Sequence, residues 1–170
     1  MHTNSIIIFF CEECGTKNSI AYSKVASQTI AIKCAYCEEI LNIHGSSIAQ
    51  VSSPHAEKKL TSKMVLKYRK QTIEIDQKHT RVTFGRGEDN DIMLDDYRVS
   101  RSHAFIIYLN GKYVLCDQST NGTYVSLKGS KGLILKKDEL QLHRHGIIGL
   151  GEIVNSNSPE AIHFSITAWK

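Results

Sequence analysis

The chain has 170 residues, 41% of them hydrophobic and 22% charged, a globular composition and not that of a disordered chain. Its 21 Lys and Arg against 17 Asp and Glu leave a formal charge of +4, a surplus too small to demand nucleic acid. The longest nearly unbroken apolar run, Ile6 to Phe10, is far shorter than the roughly 20 residues of a membrane-spanning helix. No membrane association is expected. Met1 to Ser5 contain no Lys or Arg, so no secretory signal is expected either, and the reading is a cytoplasmic protein.

Taken in chain order, residues 1–45 are dominated by two Cys-x-x-Cys pairs, Cys11 with Cys14 and Cys34 with Cys37, which 19 residues separate. Each pair presents two thiolates from one tight turn, and two such turns complete a tetrahedral site for zinc. Gly15 supplies the positive φ such a turn needs. Without an export signal, paired cysteines point to metal before disulfide. A thioredoxin-like redox pair is the other competitor, but a second pair and the missing βαβ context oppose it. Four protein ligands leave no open position, so the expected role of Zn2+ is structural. The segments CEECGTKNSIAYSK and IKCAYCEEIL resemble a zinc ribbon. Lys17, Lys24 and Lys33 face Glu12, Glu13, Glu38 and Glu39, a poor electrostatic footprint for phosphate backbones. A stabilising or protein-docking module is therefore favoured over a nucleic-acid reader.

Residues 46–63 read as a flexible linker: SSIAQVSS, then Pro54 and a polar, basic stretch without periodicity. From residue 64 to 170 the pattern is all-β. Gln71–Ile75 alternates, and Arg81–Phe84 is short and β-branched. Ala104–Leu109 runs into Asn110-Gly111 and then Tyr113–Cys116, the strongest short-range hairpin signal in the chain. Thr123–Leu127, Leu133–Leu135, Glu139–Leu142 and Ile162–Thr167 supply further strands. Many short strands between Gly and Asn turns predict a sandwich or barrel. His143-Arg144-His145-Gly146 reads as an exposed basic loop.

Three pieces of this second module carry chemistry. Gly85-Arg86 ends a strand, Ser100-Arg101-Ser102-His103 follows, and Ser119-Thr120-Asn121-Gly122-Thr123 lies between two strands. Each alone is an ordinary turn. Together, as FGRGEDNDIMLDD, RVSRSHAFI and DQSTNGTYV, they resemble the forkhead-associated (FHA) domain, over roughly residues 64–170. The resemblance implies a β-sandwich that binds phosphothreonine peptides through loops at one end. It implies that Arg86, Ser100, Arg101 and Thr120 meet the phosphate and that Asn121 clamps the peptide main chain. Arg98 would read a residue C-terminal to the phosphothreonine, with an acidic residue the expected choice. Gly85, His103 and Gly122 would be structural supports of the site. Two departures from the family pattern stand out: Ser126-Leu127 where Asn-Gly is usual, and Lys137-Asp138 where Gly-Asp is usual.

No enzyme is expected. Ser100 lacks the Gly-x-Ser-x-Gly elbow of a hydrolase, no Walker lysine motif occurs, and the acidic run Glu88–Asp91 lacks calcium-loop spacing. Cys116 alternates within an apolar strand and reads as core. The sequence therefore predicts an adaptor for a phosphothreonine-containing protein in a Ser/Thr kinase pathway, carrying a structural zinc ribbon. Two alternatives stay open: a nucleic-acid-binding or transcription-associated ribbon protein regulated through its FHA domain, and a phosphorylation-independent scaffold.

Overall fold

A computed structural model describes residues 6–25, 29–43, 61–127 and 131–169. The chain divides into two compact units, Met1–Lys59 and Leu60–Lys170.

The first unit is two short hairpins. Strands β1 (Ile6–Phe10) and β2 (Lys17–Ala21) pair antiparallel, as do β3 (Ile30–Lys33) and β4 (Ile40–Ile43), and each hairpin is turned by one Cys-x-x-Cys. Between β2 and β3 lies a single 3-10 turn, Tyr22–Lys24. The isoleucines suit extended backbone because branching at Cβ restricts χ1 and packs well on a pleated surface.

The second unit has eleven described strands in two sheets. One sheet has the order β13-β10-β9-β7-β8 and the other β12-β11-β14-β15-β5-β6. The first is built from β7 (Arg81–Gly85), β8 (Ile92–Met93), β9 (Ala104–Leu109), β10 (Lys112–Asp117) and β13 (Glu139–Leu142). The second comprises β5 (Thr61–Tyr68), β6 (Gln71–Ile75), β11 (Thr123–Leu127), β12 (Leu133–Leu135), β14 (His145–Leu150) and β15 (Ile162–Trp169). Val82, Phe84, Ile106 and Leu115 from one sheet share a buried cluster with Leu66, Val125, Ile148 and Ile162 from the other. Two sheets whose alternate residues meet in one core make a β-sandwich. Asn110 and Gly111 take φ of +50° and +81°, the left-handed pair that a two-residue hairpin turn requires.

Two expectations are corrected, and one strand is added. The linker read as 46–63 lies outside the described residues up to residue 60, and residues 61–63 are strand, with Thr61 opposite Trp169 and Lys63 opposite Thr167. The stretch 143–146 is not a loop: His145 and Gly146 begin β14, leaving His143 and Arg144 as a two-residue passage between the sheets. Strand β14 itself was unmarked in the sequence because its glycines, Gly146 and Gly149, mask the alternation. Both lie where a neighbour comes close; a Cβ on Gly146 would stand 2.3 Å from the Ser126 carbonyl oxygen. Among the described residues no helix is long and apolar enough to cross a membrane.

Candidate functional site

In the first unit the two cysteine turns repeat one backbone pattern. The Cys11 N–H donates to the Thr16 carbonyl (2.9 Å) and Gly15 N–H to the Cys11 carbonyl (2.9 Å). The same bonds recur from Cys34 to Glu39 (2.8 Å) and from Glu38 to Cys34 (3.2 Å). Gly15 has φ +76°, as its position demands, and Glu38 takes the equivalent place at φ +62°. The turns bring the Sγ atoms of Cys11, Cys14, Cys34 and Cys37 within 4.8 Å of one another. Sγ to Sγ is 3.7 Å for Cys11 and Cys37 and 3.6 Å for Cys14 and Cys34. A tetrahedron with metal–sulfur bonds of about 2.3 Å has edges of about 3.8 Å, so the four sulfurs fit a four-coordinate thiophilic ion. No disulfide links them.

A residue that the sequence did not flag joins the two turns. Buried Asn18 donates from Nδ2 to the Thr16 carbonyl (2.9 Å) and to Cys34 Sγ (3.6 Å), and its Oδ1 accepts the Ala35 N–H (3.0 Å). Burial opposes ionisation of Cys34, yet the backbone N–H groups of Cys37 and Tyr36 and the Asn18 amide outweigh it and bring that thiol down to about 6. Such donors around a sulfur are what orient a metal ligand and keep it a thiolate.

In the second unit the site is assembled at one end of the sandwich by backbone bonds between loops. Arg86 N–H donates to the Ser100 carbonyl (3.0 Å) and Gly87 N–H to the Arg101 carbonyl (3.1 Å). The approach is so close that a Cβ on Gly85 would lie 2.1 Å from the Arg101 carbonyl oxygen, so position 85 admits glycine alone. Asn90, also unflagged by the sequence, reinforces the junction by donating to the carbonyls of Gly87 (2.8 Å) and Arg101 (2.7 Å).

His103, 0% exposed, ties this loop to the next. Its Nδ1 accepts the Ser100 N–H (3.0 Å), which leaves the proton on Nε2 to donate to the Gly122 carbonyl (3.1 Å). Burial pushes the imidazole below its usual value, against the Gly122 bond and the Asp117 carboxylate 3.9 Å away. Asp117, at the end of β10, accepts from Ser119 Oγ (2.8 Å), Thr123 Oγ1 (2.6 Å) and the Lys137 N–H (2.8 Å). Ser119 Oγ in turn accepts the Gly122 N–H (2.7 Å), and Gly122 itself has φ +89°. The Thr120 N–H reaches Ser100 Oγ (3.3 Å), and Asn121 Nδ2 donates to the Arg98 carbonyl (2.8 Å).

These bonds place Arg86, Ser100, Arg101, Thr120 and Asn121 on adjoining loops. Arg86, Arg101, Thr120 and Asn121 are exposed and Ser100 is half-buried. The three loop arginines differ in one respect. Among the described residues the Arg86 and Arg101 guanidinium groups have no carboxylate partner, whereas Arg98 is held by two: Asp96 (2.6 Å) and Glu152 (2.6 Å). Arg98 in turn holds the Asp96 carboxyl down at about 2. Two guanidinium groups without carboxylate partners, on loops that also carry two hydroxyls, are the kind of groups that suit a dianion with three acceptor oxygens. Arg98, already neutralised, does not suit the acidic peptide side chain that the sequence suggested for it.

Residues 82–151 match the family model of the FHA domain. Over 70 residues the chain is 37% identical to the oxoglutarate dehydrogenase inhibitor of Corynebacterium efficiens, covering 40% of this chain and 49% of that one. It is 38% identical over 68 residues to the glycogen accumulation regulator GarA of Mycolicibacterium smegmatis, covering 39% and 43%. The chain thus spans about half the length of the curated relatives it matches. The crystal structure of Mycobacterium tuberculosis Rv1747 FHA-1 aligns with 62% of this chain and 97% of its own at 19% identity and a TM-score of 0.47.

Proposed function

From the premise that the second unit carries an FHA domain, we propose that this protein is a phosphothreonine-dependent adaptor acting in the cytoplasm downstream of a Ser/Thr kinase. Its work is binding, not catalysis. The observation that supports the reading is that Arg86 and Arg101, which have no carboxylate partner among the described residues, stand on loops that backbone bonds and the His103 bridge join to those of Ser100 and Thr120. Arg86 and Arg101 supply charge to the phosphate, Ser100 and Thr120 donate hydroxyl protons, and the Asn121 amide, anchored on Arg98, turns its remaining donor and acceptor to the peptide backbone. Two curated relatives of this segment bear the names of an inhibitor and a regulator, which accords with control by binding. In the first unit we assign zinc to the four cysteines: sulfur donors at tetrahedral spacing with no open position make a structural centre.

Fluorescence anisotropy with matched phosphothreonine, phosphoserine and unmodified peptides tests the reading. Selective binding of the phosphothreonine form is expected. Arg86→Ala should weaken it by about 2–5 kcal/mol, the loss that follows when one partner of a desolvated charge pair is removed. Equal binding of phosphorylated and plain peptides would make the domain a phosphorylation-independent scaffold.

A further inference from the structure

The surface that continues from the site past Asn121 has the opposite polarity to the phosphate end. Asn121 rests on the Arg98 carbonyl, and Gly151 packs against the same atom, where a Cβ would approach to 2.5 Å. Asn121, Arg98 and the segment beginning at Gly151 are therefore one continuous patch. On that patch four of the five N–H groups of Arg98 are engaged: Nε with Asp96 (3.0 Å), Nη1 with Glu152 (2.6 Å), and Nη2 with both (2.6 and 2.9 Å). One guanidinium between two carboxylates leaves a net charge of −1. A small cavity of about 60 Å³ beside it is lined by Asp95, Asp96, Glu152 and Glu160, with Arg69 the basic residue of the lining. Two apolar side chains flank the ion pair in sequence and stand out in solvent, Tyr97 at 91% exposure and Ile153 at 69%.

Resting on the phosphothreonine reading above, we propose that this patch selects a basic side chain on one flank of the phosphothreonine. A Lys or Arg can lay its methylene stem along Tyr97 and Ile153 while its charge meets Glu152 and Asp96. An acidic side chain meets net negative charge and a guanidinium with one N–H left to offer. The docking surface is thus positive where the phosphate sits and negative a few residues on, so the charge pattern of the ligand fixes its direction as well as its identity.

The test uses the full chain and phosphothreonine peptides carrying Lys, Ala or Asp at each of three positions on either side, with unphosphorylated controls. At one flank the affinity order should be Lys over Ala over Asp, the Lys-to-Asp ratio reaching about tenfold at low salt and shrinking as salt is added. Glu152→Gln should cut that ratio by about threefold or more while phosphate remains required. Asp binding as well as Lys at every position, with phosphate still required, overturns the basic preference and leaves the reader function intact. If phosphate makes no difference to any peptide, the reader function falls and this preference with it.

Discussion

Cys11, Cys14 and Cys34 form the buried cluster of the first unit, with Leu41 packed against them, while Ile6 and Ile8 of β1 stand 67% and 60% exposed. The second unit buries Met64, Leu66, Phe84, Ile106, Tyr113, Leu115, Ile148 and Ile162 between two sheets. The same kind of residue is spent on solvent in one unit and on a core in the other. A segment this short cannot remove enough apolar surface from water to offset chain entropy, so on the zinc reading proposed above metal–sulfur bonds would take the place of apolar contacts. In the second unit the apolar core carries stability, which frees polar groups such as His103 and Asp117 for holding loops.

Removing the metal should split the units most widely. With about 10 kcal/mol or more of folding energy residing in a zinc site of this type, a strong chelator should abolish the pairing of β1 with β2 and of β3 with β4. In an amide-resolved NMR titration, the Cys11 and Cys34 signals should collapse towards random-coil positions while Tyr113 and Ile148 stay in place. Loss in both units together, or in neither, would end the contrast.

A smaller effect comes from acid and belongs to His103. Its folded value is lowered by burial, so below the ordinary value of about 6.5 the unfolded chain takes up a proton that the folded chain resists. Stability contributed by the neutral ring is complete above that pH and falls as the pH drops through it. Protonated Nδ1 also can no longer accept the Ser100 N–H. The urea midpoint of the second unit should therefore decline from pH 7 towards pH 5.5, and His103→Gln, which has no proton to gain, should flatten that slope at the cost of a lower midpoint throughout. An unchanged slope in the variant would assign the acid sensitivity elsewhere.

The smallest effect is shared and sharpens the comparison. Glu38 in the first unit and Lys137 in the second sit at φ +62° and +50°, where an L side chain is strained and glycine is not. Glu38→Gly and Lys137→Gly should each stabilise their own unit by about 0.5–1 kcal/mol, set by relief of strain less the added freedom of the unfolded chain. Thermal unfolding followed separately in the two units reads this out, and a gain appearing in the wrong unit would show that the two do not melt independently.

Much of this organisation was legible in the sequence because it rests on local chemistry. Paired cysteines, the Asn110-Gly111 turn, the alternating β6 and the apolar run of β9 announce themselves within a few residues. The site loops were legible through three short motifs read jointly. What stayed hidden depends on contacts far apart in the chain. Asn18 is one polar residue in a strand until Cys34 and Ala35 come round to it. Glu152 lies 54 residues from Arg98, so nothing local shows that this arginine is already neutralised. Lys137, which departs from the family pattern, keeps the left-handed turn and still gives its N–H to Asp117.

Asp117 closes the most deeply buried strand of its sheet, since every residue of β10 after Lys112 is buried. Through it, the turn at 119–123 and the segment at 137 are fastened to the interior, and through His103 so is the loop bearing Ser100. The immobility that a ligand would otherwise impose on these loops has thus been imposed during folding. On the reading proposed above, recognition would then proceed with little further loss of backbone freedom, so that even a short phosphorylated peptide, with few contacts to offer, would be held.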